Sequence, residues 1–223
     1  MTVTAPEDEV VDLVSSLIRF DTSNTGEPET TKGEAECARW VAAQLEEVGY
    51  ETEYVETAPG RGNVFTRLPG ADPSRGALLI HGHLDVVPAE PADWSVHPFS
   101  GAVKDGYVWG RGAVDMKDMC GMMIAVARHL KRAGITPPRD LVFAFVSDEE
   151  HGGTYGCQWL VDHRPDLFDK AKHFVFVSSL FTHRLTGRLT NDATLVGMGL
   201  SVFDQVLDAE LLARWASRRS GTA

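Results

Sequence analysis

The chain has 223 residues, 43% of them hydrophobic and 24% charged, and a formal net charge of −11. Such numbers describe a globular protein of one domain or one and a half; no apolar run approaches the roughly 18 residues of a membrane helix. The negative balance disfavours nucleic acid and anionic membrane as partners but leaves metal cations open.

The start, Met1 to Glu9, is polar and acidic, without the basic and apolar regions of a secretory signal, so a cytoplasmic protein is expected. Val10, Leu13, Val14, Leu17 and Ile18 recur at helical spacing and predict an amphipathic helix. A polar loop, Asp21 to Thr31, follows. Cys37, Trp40, Val41 and Val48 predict a second helix, ended by Gly49. Tyr50 to Glu56 and Asn63 to Leu68 read as strands around a Pro-Gly turn. A short apolar strand, Ala77 to Ile80, runs into His81-Gly82-His83, and Tyr107 to Trp109 predicts another brief strand. Met119, Met122, Met123, Val126 and Leu130 form a helix stripe, and Leu141 to Val146 is a continuous apolar run of the buried-strand type. Alternating helices and strands predict an α/β fold with parallel strands in its sheet. The cysteines, Cys37, Cys120 and Cys157, are odd in number and widely spaced, which predicts reduced thiols.

The chain changes character near Asp169. Up to that residue 14 Lys and Arg stand against 28 Asp and Glu; from Lys170 onward the counts are 7 and 4. All 11 prolines fall at or before Pro165. The expected division is a first region over 1–169 and a divergent tail over 170–223. The tail's apolar runs, Phe174 to Val177 and around Val202 to Leu212, suit a strand and a helix.

Three clusters carry chemistry. His83-Leu84-Asp85 follows an apolar strand, and strand ends in open α/β sheets are where ligands bind. A neutral imidazole ligates zinc, and a carboxylate two residues on can hold its other ring nitrogen. Gly110-Arg111-Gly112-Ala113-Val114-Asp115 precedes the methionine-rich helix; taken alone, Asp115 reads as its N-cap. Ser147-Asp148-Glu149-Glu150-His151 follows the buried strand, and like charges crowded there call for a cation among them. Each cluster alone has a bland reading: a solvated turn, a cap, an acidic loop.

In this order, from about Glu9 to about Phe168, the three clusters resemble the zinc aminoacylase and carboxypeptidase family, with its desuccinylases, deacetylases and dipeptidases. The resemblance implies the N-terminal part of a catalytic domain, with a mixed, largely parallel sheet flanked by helices. It implies His83 and Asp115 on one zinc, and Asp115 and Glu150 on a second. Asp85 would orient His83, and Glu149 would be the general base. The implied activity is hydrolysis of amide bonds in small peptides or N-acyl amino acids with two Zn2+; Co2+ and Mn2+ suit the same ligands. The sequence departs from the family in two ligands. The carboxylate expected between Val175 and Leu180 is replaced by Val-Phe-Val-Ser-Ser-Leu, and the late histidine, like the lid and dimerisation domain, has no counterpart. His173 and His183 do not fit the missing roles. A truncated enzyme with weakened activity is therefore expected, with a frame change near Asp169 as one origin. The alternative is an inactive remnant or a binding module of the same family.

Overall fold

The computed structural model describes residues 3–167, together with 184, 185 and 187. All the helices and strands named below lie within the unit Met1–Ala171. The expected tail elements, His173, His183 and the 175–180 stretch lie outside the described residues, save for single positions near residue 185.

Helix α1 (Pro6–Ile18) opens on a proline and an acidic turn, Glu7, Asp8 and Glu9, which suits the positive end of its dipole. It buries Leu13, Val14, Leu17 and Ile18, four of the five residues of the predicted stripe. Helix α2 (Ala35–Glu46) buries Cys37, Val41 and Leu45 and stops before Gly49, which turns the chain at φ 92°. Strands β1 (Thr52–Glu56) and β2 (Gly62–Leu68) form an antiparallel hairpin, with Tyr54 opposite Val64. Strand β3 (Leu78–His83) runs three residues further than its apolar run, so His83 is its last residue. A small hairpin of β4 (Ala102–Lys104) and β5 (Tyr107–Trp109) precedes helix α3 (Lys117–Arg132), which leads to β6 (Leu141–Val146) and the short helix α4 (Trp159–His163).

The main sheet is mixed, in the order β1-β2-β6-β3. Strand β6 pairs antiparallel with β2 and parallel with β3; one of the three described pairings is therefore parallel. Alternation along β6 divides the core. Phe143 and Phe145 join the cluster under α1, α2 and α3, while Val142, Ala144 and Val146 pack with Leu160 of α4 and Leu167 on the opposite face. Burying each phenylalanine stabilises the fold by about 2 kcal/mol. Helices α1 and α3 approach closely because position 121 is glycine: a Cβ there would sit 2.4 Å from Val14 Cγ2. No helix among the described residues is long and apolar enough to cross a membrane.

Candidate metal centre

Parallel pairing of β3 and β6 places their C-terminal ends side by side, with His83 in register with Val146. Two of the three sequence clusters therefore leave the sheet at the same edge. The pairing continues past the strands, since the Leu84 amide donates to the Val146 carbonyl at 2.8 Å.

His83 is buried, with its ring between two acids. Nδ1 lies 3.0 Å from the carbonyl oxygen of Asp85 and 3.4 Å from that residue's Oδ1. A carbonyl can only accept, so Nδ1 carries hydrogen and Nε2 faces outward, 3.2 Å from Asp115 Oδ1 and 3.6 Å from Glu149 Oε2. One ligand atom each from His83, Asp115 and Glu150 lies within 4.8 Å of the others. His81, two residues earlier on β3, is not in this group.

Asp115 does not cap α3: the N-cap position is Met116, and the Asp115 side chain is 75% exposed toward His83. The helix start is held instead by Lys117. Its side chain is fully buried, its amide donates to Gly112 O at 2.8 Å and its Nζ to Phe20 O at 2.7 Å. Burial pushes the Lys117 ammonium below its ordinary pKa.

Asp85 is fully buried and accepts at both oxygens. The amides of Glu149 and Glu150 donate to Oδ1 and Oδ2, each at 3.0 Å, and Asn24 Nδ2 donates to Oδ2 at 2.9 Å. This works because Asp148 adopts the left-handed conformation, φ 66°, which an aspartate tolerates and which turns two successive amides toward Asp85. Asp85 thus fixes both the imidazole and the Glu-Glu turn.

The electrostatics match this crowding. Burial is the largest influence on His83 and pulls its pKa down, but Asp115, Asp85 and Glu149 together outweigh it and raise the group to about 10. The glutamates move the other way: burial raises the pKa of Glu149 and Glu150, partly opposed by His83 and reinforced by Asp85 and Asp115. One imidazole and two carboxylates converging on a common point form a donor set that fits a divalent cation such as zinc, cobalt or manganese.

A second polar layer lies beneath the site and was not singled out in the sequence. Arg61 Nη2 reaches Asp148 Oδ1 at 2.8 Å and Asn24 Oδ1 at 3.1 Å, while its Nη1 reaches Glu34 Oε1 at 2.6 Å. Glu34 is fully buried, and its Oε2 has no hydrogen-bond partner among the described residues. Burial, with the charge of Asp85 added and that of Arg61 opposed, raises the Glu34 carboxyl from 4.5 to about 8. The folded chain therefore holds this proton where the unfolded chain has lost it. The stabilising contribution is full below about 4.5 and is lost as pH rises through about 8. Glu34→Gln is expected to remove this slope, which urea titrations of both proteins between pH 5 and pH 9 would measure; parallel pH profiles would contradict it.

Residues 79–190 match the peptidase family M20/M25/M40. Human aminoacylase-1 is 35% identical over 171 residues, covering 75% of this chain and 40% of that protein. Succinyl-diaminopimelate desuccinylase of Bradyrhizobium sp. (strain ORS 278) is 36% identical over 152 residues, 64% of this chain and 38% of the enzyme. The chain thus spans about two fifths of the curated relatives it matches. The fold is similar to that of human carnosine dipeptidase 1, with a TM-score of 0.62 at 24% identity over 75% of this chain and 37% of the other.

Proposed function

Because the chain belongs to peptidase family M20/M25/M40, we propose that it is a metal-dependent hydrolase of amide bonds in small peptides or N-acyl amino acids. The observation that carries this reading is the convergence of His83, Asp115 and Glu150 within 4.8 Å, with Glu149 alongside. His83, Asp115 and Glu150 would hold the metal. Zinc, or cobalt or manganese in its place, would supply there the Lewis acidity that polarises an amide carbonyl. Asp85 keeps the His83 ring turned so that Nε2 points at the centre. Glu149, whose pKa burial raises, takes a proton from the attacking water and delivers it to the leaving nitrogen. The substrate class follows from the relatives named aminoacylase, desuccinylase and dipeptidase.

Among the described residues, these donors would give each of two ions two protein ligands, fewer than the three that catalytic zinc sites use. We therefore assign the chain weak metal binding and low turnover, with residues 1–169 as the catalytic part. The three free cysteines, two of them buried, suit a reducing compartment such as the cytoplasm. Titration of the metal-free chain with cobalt, followed by assay on N-acetyl amino acids and dipeptides, tests the reading. Saturable uptake with hydrolysis is expected. Uptake without hydrolysis makes the chain a binding module; no uptake removes the metal centre.

A further inference from the structure

Arg61 touches no ligand of the candidate centre, yet it lies one contact away from the residues that shape it. Its side chain is 9% exposed, and its guanidinium divides its donors among Glu34, Asp148 and Asn24. Asp148 is held on every side. Oδ1 accepts from Arg61 and from Asn24 Nδ2, at 2.8 Å and 3.0 Å, and Oδ2 accepts from the Tyr155 amide at 3.2 Å. Its carbonyl accepts from Gly153 N at 2.6 Å, and its own amide donates to Glu34 Oε1 at 3.4 Å. Asn24 then joins the two layers, because its Nδ2 donates to both Asp148 Oδ1 and Asp85 Oδ2. The orientation of that amide is set by Arg61 and the Gly26 amide, which both donate to Asn24 Oδ1 at 3.1 Å.

Two carboxylates, Asp85 and Asp148, are buried within this one network beside the Glu34 carboxyl, and among the described residues Arg61 is the arginine that bonds both Asp148 and Glu34. Buried like charges repel unless a cation or donors separate them. A planar fork can serve three acceptors in fixed directions, which a lysine ammonium on a flexible stem does less well.

We propose that Arg61 is a positioning residue of the candidate metal centre, acting through Asp148 and Asn24 to aim the Glu149 and Glu150 amides at Asp85. This rests on the metal-centre reading for its functional consequence, but the geometric claim can be measured without metal. The experiment compares Arg61→Lys and Arg61→Met with Arg128→Met in the full chain. Arg128 is an equally buried arginine, bonded to Glu9, Glu47 and the Gln44 carbonyl, and it touches no residue of the site. In the metal-free protein, hydrogen exchange at the Glu149 and Glu150 amides is expected to quicken roughly tenfold in both Arg61 variants and to stay unchanged in Arg128→Met. Cobalt affinity, read from the visible spectrum, is expected to fall about 10–100-fold in Arg61→Lys and to hold in Arg128→Met. Unchanged exchange in Arg61→Lys, or equal quickening in Arg128→Met, overturns the proposal. So does cobalt affinity in Arg61→Lys equal to that of the parent chain. If the parent chain takes up no cobalt, the metal centre fails by itself, and the exchange comparison alone decides the role of Arg61.

Discussion

Glu149→Gln is expected to lower amide hydrolysis by roughly 10²–10⁴-fold, the usual range for loss of a general base. Metal affinity should stay within a few-fold of the parent. Two features separate these effects. Glu149 Oε2 lies 3.6 Å from His83 Nε2, but the convergent donor group consists of His83, Asp115 and Glu150 without it. The substitution also keeps the shape of the side chain and the Glu149 amide, so the bond to Asp85 Oδ1 survives. What disappears is a carboxylate that can take up a proton, and burial makes that carboxylate more basic than an ordinary one. Single-turnover assays with cobalt present, beside calorimetric titration of the same samples, would measure both quantities. Hydrolysis within threefold of the parent would exclude Glu149 as the base.

The second large effect concerns Asp85. Asp85→Asn is nearly isosteric, yet either orientation of the amide sets its NH2 against a backbone N–H, because Glu149 N and Glu150 N approach the two oxygens separately. One buried donor loses its acceptor and the ion pair with His83 is lost, so stability should fall by about 3 kcal/mol. Metal affinity should fall with it, by about 10–100-fold, as for other residues that orient a ligand. The two losses have separate origins: the first in the Glu-Glu turn, the second in the freed His83 ring. Denaturant unfolding of the metal-free variant checks the first and cobalt titration the second. A variant as stable as the parent would show that the turn does not depend on Asp85.

The sequence makes some of this architecture plain and conceals the rest for physical reasons. Leu141 to Val146 reads as a buried strand because both of its faces are covered, by Phe143 and Phe145 on one side and Val142, Ala144 and Val146 on the other. The stripe of α1 reads directly because its spacing matches one helical face. His83, Asp115 and Glu150 stand out because strand ends and a glycine-rich turn carry them, and folding does gather their donor atoms. The cap reading of Asp115 fails because the helix begins two residues later and a buried lysine secures its start. Asn24, Glu34 and Arg61 give no signal. Each is a lone polar residue in or beside a loop, indistinguishable from a solvated one until closure of the fold removes water from it. Asp148 reads in the sequence only as one more charge in an acidic run, whereas its left-handed backbone and its five partners define its role.

The buried ammonium of Lys117 has a consequence for how this chain can tolerate length variation. The segment from Phe20 to Asn24 is stitched at alternate points: Phe20 O to Lys117, Thr22 Oγ1 to Leu84 O at 2.7 Å, and Asn24 N to Val86 O at 2.9 Å. A single residue inserted there slips every stitch and carries Asn24 off Asp85. Just beyond, from Thr25 to Thr30, the hydrogen bonds are chiefly among the loop's own residues. Natural insertions and engineered grafts thus have one doorway on this side of the site, opening after Gly26 and closing before Thr31.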